Sequence, residues 1–286
     1  RQTRLMRRRQ RETTTRLRTL ESELLRARRG VAADRVIASL ARAGVAPRLP
    51  VKFTAEWGED LFLFDLLGPL VEGGGPGYYI EAGAFDGVTL SVTYPFEAMG
   101  WTGLLVEPLP EHAARCAAAR PNSRVVNAAL GAPGGPATVT FTSVGPADDL
   151  TAQMLSHAGT NAEHQRLLDE RRDQRRQVRV RLATLDDILA ESAQAEPIPR
   201  IDFAVFDVEG GELDLLRGFD LTKYRPRVLV IEDLTDGRDT RVADLCRGVG
   251  GTGYVLTGRV GRNQVFVTGD EPSLVARARE LTNVLS

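Results

Sequence analysis

From residue 78 onward, short apolar runs alternate with stretches of helical periodicity, and this alternation constrains the chain more than any other feature it has. A run rich in Val, Leu, Ile and Phe and bounded by Gly, Pro, Asp or Asn reads as a strand buried on both faces. Such strands pair in parallel when a helix returns the chain to the start of the next one. Strands are expected at 78–82, 103–107, 124–127, 203–207 and 228–232, and helices at 91–99, 110–119, 212–217 and 240–247, with Pro110 well placed in a first turn. Two later runs, 254–257 and 264–268, flank a Gly-Arg-Val-Gly-Arg-Asn segment and read as a closing antiparallel hairpin. The expected fold class is α/β, a doubly wound, Rossmann-like sheet that is mostly parallel with a C-terminal antiparallel hairpin.

Ahead of this pattern, residues 1–43 lack Pro and hold Gly only at position 30, while Leu17, Leu20, Leu24, Ala27 and Val31 recur at alternating spacings of three and four. That is a helix with one apolar stripe. Two heptads suit docking against the body or a second subunit better than a free-standing coiled coil. Gly44, Pro47 and Pro50 then end the helix. The expected organisation is a helical extension at 1–50, for docking or homo-oligomerisation, and one domain at 51–286. Within that domain, 142–177 is polar, rich in Arg, Asp and Gln, and too long for a plain connection, so an insertion or lid is expected there. Next, 178–189 alternates Val with Arg before Leu-Asp-Asp-Ile-Leu and reads as an edge strand leading back to the sheet.

The net charge of −1 hides an asymmetry, because residues 1–30 carry +8 and the remainder −9. A basic head can meet nucleic acid or anionic lipid; the absence of interleaved aromatic residues favours a solvated helix face. Cys116 and Cys246 lie too far apart in sequence for a Cys-x-x-Cys zinc site and are too few for a disulfide framework, as in a reducing compartment. No apolar run of about 18 residues is present to make a transmembrane segment, and no apolar signal core follows the first arginines. The expectation is a cytoplasmic protein.

The first core strand ends at Glu81-Ala82 and enters Gly83-Ala84-Phe85-Asp86-Gly87. Open parallel sheets bind ligands beyond the carboxyl ends of their strands, where Gly lets the backbone come close. The second strand ends at Glu107-Pro108, about twenty residues later, where a carboxylate can accept hydrogen bonds from both ribose hydroxyls of an adenosine ligand. The third ends at Asn127-Ala128, where a polar side chain can face the adenine amino group. This spacing alone does not separate a methyl donor from a nicotinamide dinucleotide. Asp86 helps, because it stands where a pyrophosphate-binding turn has Gly and would repel that group. Carboxylates at Glu81 and Asp86 favour a cationic ligand such as S-adenosylmethionine, with its ammonium and sulfonium.

These stretches resemble the FkbM family of S-adenosylmethionine-dependent methyltransferases. So do Gly58-Glu59-Asp60 before Leu61, Ser91-Val92-Thr93, Gly100-Trp101-Thr102-Gly103, Thr184-Leu185-Asp186, and above all Ile201-Asp202-Phe203-Ala204-Val205-Phe206-Asp207-Val208-Glu209-Gly210-Gly211-Glu212. The resemblance covers roughly 53–268 and leaves out the head and the 142–177 insertion. It implies a class I methyltransferase sheet, Ser91 and Asp207 among the cofactor contacts, and O-methylation of a hydroxyl on a small molecule, a secondary metabolite or sugar. The family often has Asp where this chain has Glu81, and the carboxylate is kept. An N-methyltransferase, or a non-catalytic adenosyl-ligand binding subunit docked through the basic head, remain as other readings; intact acids at Asp207, Glu209, Glu232 and Asp233 argue against the second. A nucleic-acid substrate is not expected, since an acidic body repels phosphates and no Asn-Pro-Pro-Tyr motif occurs.

Asp207 and the pair Glu232-Asp233 end neighbouring strands on one rim, where carboxylates repel unless a cation or a proton joins them. Asp207, Glu232 and Asp233 match the places of the metal-binding acids in catechol-type O-methyltransferases, so Mg²⁺ is one expectation, orienting the acceptor oxygen. The other is that Asp207 and Glu209 position substrate or cofactor, or cap the helix from Glu212. The catechol-type enzymes carry a Lys shortly after the first acid, whereas this chain has Gly210, so the base must come from elsewhere. The catalytic candidates are His157, Asp207 and Glu209. His164 lies seven residues beyond His157, His112 is expected at the surface, and Arg171, Arg172, Arg175 and Arg176 form a basic run. Phe62, Phe64 and Trp101 read as core, and Trp57 as a pocket wall.

Overall fold

The computed structural model describes residues 2–68, 75–144, 175–251 and 253–285. His157, His164, Arg171 and Arg172, and most of the expected 142–177 insertion, lie outside the described residues.

The apolar runs form the strands β1 (Tyr78–Ala82), β2 (Thr102–Glu107), β3 (Arg124–Asn127), β7 (Phe203–Phe206) and β8 (Val228–Glu232), joined by β9 (Tyr254–Val260) and β10 (Asn263–Thr268) in a seven-stranded sheet of order β3-β2-β1-β7-β8-β10-β9. β1, β2, β3, β7 and β8 pair in parallel, and β10 runs antiparallel to both β8 and β9. Side chains alternate between the two faces along each strand. Tyr79, Leu105, Phe203, Val205, Val228 and Val230 face one core, whereas Ile80, Leu104, Val106, Ala204, Phe206 and Leu229 face the other. Burial of β1, β2, β7 and β8 on both faces is why these runs are almost continuously apolar, whereas β3 at the edge is partly exposed. Chain order reverses between β1 and β7, so the crevice opens there at the carboxyl ends of the strands.

Eight helices are described: α1 (Gln2–Arg42), α2 (Glu59–Leu67), α3 (Tyr94–Ala98), α4 (Pro110–Ala119), α5 (Leu185–Ala193), α6 (Glu212–Arg217), α7 (Arg241–Arg247) and α8 (Pro272–Leu285). α3 is shorter than the expected 91–99 because Ser91 and Thr93 hydrogen-bond to Glu81 in the loop ahead of it. At the start of α5, the Thr184 hydroxyl accepts the Asp187 N–H at 3.0 Å, a side-chain cap. α8 has no counterpart among the expected elements; its Leu274, Val275 and Ala278 seal the first core.

The segment expected as an edge strand of the main sheet departs from that expectation. β6 (Arg175–Ala183) pairs antiparallel with β5 (Thr138–Val144) and in parallel with β4 (Ala129–Leu130), making a separate sheet of order β4-β6-β5. Its Val180 packs with Leu109, Ala129 and Phe141 in a small third core.

α1 ends where Gly44 takes a left-handed φ of 69° and the Val45 N–H returns to the Leu40 carbonyl. Ala32, Val36 and Leu40 bury against the body with Leu25 packed beside them, and Arg35 pairs with Asp65 at 2.9 Å. The stripe singled out in the sequence, from Leu17 to Val31, lies elsewhere on the helix and is exposed.

Candidate active site

A cavity of about 1320 Å³ opens at the carboxyl ends of β1, β2, β7 and β8. Its wall combines the loop after β1, the end of β2, the segment 128–136, the loop after β7, and Val139, Phe141 and Leu182 from the smaller sheet. A drug-sized ligand needs about 300–1,000 Å³. The space therefore accommodates a nucleoside-sized ligand and a second molecule beside it.

Several expected residues meet there. Glu81, Ala82, Gly83, Ser91, Glu107, Pro108, Ala128, Asp207, Glu209 and Glu232 all line the cavity. Gly83 has φ 85°, and a Cβ on it would lie 1.8 Å from the Asp207 carbonyl oxygen. Its glycine is thus required by the meeting of two strand ends as well as by turn geometry. The Glu107 carboxylate accepts the N–H groups of Phe85 at 2.9 Å and Leu109 at 2.8 Å, one on each oxygen. A carboxylate oxygen has two acceptor sites, so each retains one for a ligand hydroxyl.

Three residues expected at the site do not reach it. Asp86 turns back on its own loop, accepting from the N–H of Val88 at 2.9 Å and from the N–H and hydroxyl of Thr89, both at 2.7 Å. Asn127 donates its amide to the carbonyls of Glu107 at 2.9 Å and Pro108 at 2.8 Å, and so ties β3 to β2 instead of facing a ligand. Asp233 is the third. It accepts from Thr235, the Gly237 N–H, Gln264 and, at 2.7 Å, Arg259. Burial alone would raise its pKa, but the bonds from Thr235 and Arg259 outweigh that and hold it down at about 2.

The acids that remain at the rim are Asp207 and Glu232. Asp207 is open to the cavity and otherwise enclosed by protein, and that enclosure, followed by the charges of Glu209 and Glu212, pushes its carboxyl well above the usual range. Enclosure and the charge of the facing Asp207 raise Glu232 likewise. The expected Mg²⁺ ligand set does not assemble, because Asp233 is engaged by Arg259, and among the described residues no three or more His, Cys, Asp or Glu side chains form a metal-binding group.

His112 is not on the surface as expected. It is buried, packs edge-on against Phe85 with ring centroids 4.4 Å apart, and places Nδ1 3.7 Å from Glu107. Phe62, Phe64 and Trp101 are core residues, as read from the sequence. Trp57 is 46% exposed on the cavity rim, seated against Gly261 in the β9–β10 turn.

Sequence reasoning missed the group that braces the loop after β1. Arg120, fully buried at the end of α4, pairs with Glu97 at 2.7 Å and donates to the Gly87 carbonyl, Ser91, Thr93 and the Tyr79 hydroxyl. Glu81 accepts from Ser91, Thr93 and the Val92 N–H beside it. Burial acts to raise the pKa of Glu97, but Arg120 and Ser123 overcome it and lower it. Glu212 plays a matching part on the other side, accepting the N–H groups of Val208 and Gly210, each at 3.1 Å. Of five non-glycine residues with left-handed φ among the described residues, four, Phe85, Leu90, Glu209 and Asp236, line the cavity. Such strained backbone concentrates at functional sites because the surrounding structure must hold it.

A doubly wound sheet with one antiparallel strand near its edge, and a deep cavity at the carboxyl ends of its central strands, defines an α/β protein of methyltransferase topology. The family model for the methyltransferase FkbM domain matches residues 81–245, more than half of the chain. The chain belongs to the FkbM methyltransferase family and is a methyltransferase. No curated protein matches it.

Proposed function

We propose that the chain is an S-adenosylmethionine-dependent O-methyltransferase acting on a hydroxyl of a small molecule. The observation that carries this reading is the placement of Glu107 and Asp207 at the ends of β2 and β7 on one cavity, with Glu107 retaining acceptor capacity on both oxygens. S-adenosylmethionine supplies an electrophilic methyl group on a sulfonium sulfur when bound. Glu107 would accept the ribose hydroxyls, with Pro108, Leu109 and Ala128 forming the apolar wall for the base. Glu81, braced by Ser91 and Thr93, would face the cationic end of the cofactor.

Methyl transfer to a hydroxyl requires that its proton leave. The ionised carboxylate of the Asp207–Glu232 pair is suited to take it, since a carboxylate of raised pKa is a stronger base than an ordinary one. Glu209, on the strained bend directly after β7, would position the acceptor. No step is assigned to Mg²⁺, because the carboxylate set expected to hold it is divided between Glu232 and the Arg259-bound Asp233. The test is transfer of labelled methyl from S-adenosylmethionine to a panel of hydroxylated and aminated small molecules, with and without EDTA. Label on oxygen, undiminished by EDTA, is expected. Label on nitrogen only, or activity lost in EDTA and restored by Mg²⁺, would overturn the respective part of the reading.

A further inference from the structure

α1 carries an apolar seam that the body leaves uncovered. Leu17, Leu20, Leu24 and Val31 are 53%, 54%, 62% and 61% exposed, and Ala27 between them is exposed too. Their spacing places Leu17, Leu24 and Val31 at heptad position a, and Leu20 and Ala27 at position d. The apolar contacts with the body come from the opposite side of the helix, where Leu25, Ala32 and Val36 fall at positions b and f, while at position e Arg28 and Arg35 reach Asp65 of the body at 3.9 and 2.9 Å. Docking onto the body therefore holds the helix while leaving the seam clear, and a helix already held needs less help to form a short coiled coil.

The charges flanking the seam point to its occupant. Arg16 and Glu23 fall at position g, and Glu21 and Arg28 at position e. In a parallel, in-register pair, position g of one helix meets position e of the next heptad on its partner. That sets Arg16 against Glu21 and Glu23 against Arg28, which it would share with Asp65 of the same chain, two unlike pairs on each side. An anionic lipid surface would instead be met by uniformly basic flanks, and here the signs alternate.

We infer that α1 is the dimerisation element of this methyltransferase, joining two copies of the chain through a parallel coiled coil over residues 16–31. Sedimentation of the full chain over a micromolar concentration series is expected to give twice the chain mass. Leu20→Glu with Leu24→Glu should give a folded monomer whose melting temperature no longer rises with protein concentration, since both side chains are exposed in the single chain and only the dimer is lost. Arg16→Glu should weaken the dimer by about five-fold, and adding Glu21→Arg should restore it. Leu17→Cys should cross-link through a disulfide between identical positions; the native Cys116 and Cys246 are both buried and do not compete. In an antiparallel pair centred on Leu24, residue 17 would lie about 21 Å from its counterpart and would not cross-link. A chain that stays monomeric at every concentration, a dimer indifferent to the Leu20 and Leu24 changes, a Leu17→Cys variant that fails to cross-link, or a monomer that binds phosphatidylserine vesicles through this face would each overturn the proposal.

Discussion

Replacing Arg120 by Met probes the brace beneath the loop after β1. The substitution keeps an apolar stem but removes a guanidinium that makes five hydrogen bonds: to Glu97 and Tyr79 at 2.7 Å, the Gly87 carbonyl at 2.9 Å, Thr93 at 3.0 Å and Ser91 at 3.2 Å. Glu97 is fully buried and would keep its bonds from Ser123 and the Asn122 N–H while losing its counter-charge. Removing one partner of a buried ion pair costs about 3–5 kcal/mol, a large share of the roughly 5–15 kcal/mol that stabilises a domain. At about 2–4 °C per kcal/mol for a domain of this size, the melting temperature should fall by roughly 6–20 °C. Thermal and urea unfolding measure this, and calorimetry with S-adenosylhomocysteine should show weaker binding, because Gly87, Ser91 and Thr93 lose their anchor. Adding Glu97→Gln to Arg120→Met should recover part of the stability by removing the stranded charge. An Arg120→Met protein within about 0.5 kcal/mol of the parent would refute the assignment, since that is the range of an ordinary surface change.

Other perturbations follow from the same contacts. Asp233, held down at about 2 against an ordinary 3.8, contributes stability that is fully present above pH 3.8 and is lost as the pH falls through 2, about 2 kcal/mol in all. Asp233→Asn should flatten that acid limb in melts recorded between pH 2 and 6, and an unchanged limb would contradict it. Asp207 and Glu232 have the opposite sign: their raised pKa values mean that the folded state keeps a proton the unfolded chain gives up, so stability falls as the pH rises above the ordinary carboxylate range. Asp207→Asn should weaken that fall and lower methyl transfer at least a hundred-fold, as measured by melts at pH 5 and 8 alongside turnover; a variant with normal turnover would remove Asp207 from the chemistry.

The middle of the main sheet was legible because its central strands are buried on both faces, which gives a continuous apolar run such as Phe203–Phe206. The smaller sheet was not. The Val and Arg alternation of β6 announced a strand, but its partner β5 is a Thr-rich run beside a long polar stretch, and pairing between such segments is a tertiary fact. At the site, residue type at each strand end was readable, whereas side-chain direction was not. Asp86, Asn127 and Asp233 are short side chains, and each satisfied itself on nearby backbone or on an Arg brought in by the fold. His112 was expected at the surface, and Arg120 was not singled out at all; both are buried because their partners, Tyr79, Glu97 and Glu107, come from other elements. α1 shows the same limit, since two apolar faces share one helix and periodicity did not say which would meet the body.

Titrating the protein with S-adenosylhomocysteine in a calorimeter, beside a Glu107→Ala variant, probes whether the cavity between Glu107 and Asp207 is an S-adenosylmethionine site. One site per chain is expected, weakened roughly 10–150-fold by the variant through loss of charge-assisted hydrogen bonds to the ribose. A parent protein that gives no binding heat across temperatures, or a Glu107→Ala variant that folds and binds as tightly as the parent, would contradict it.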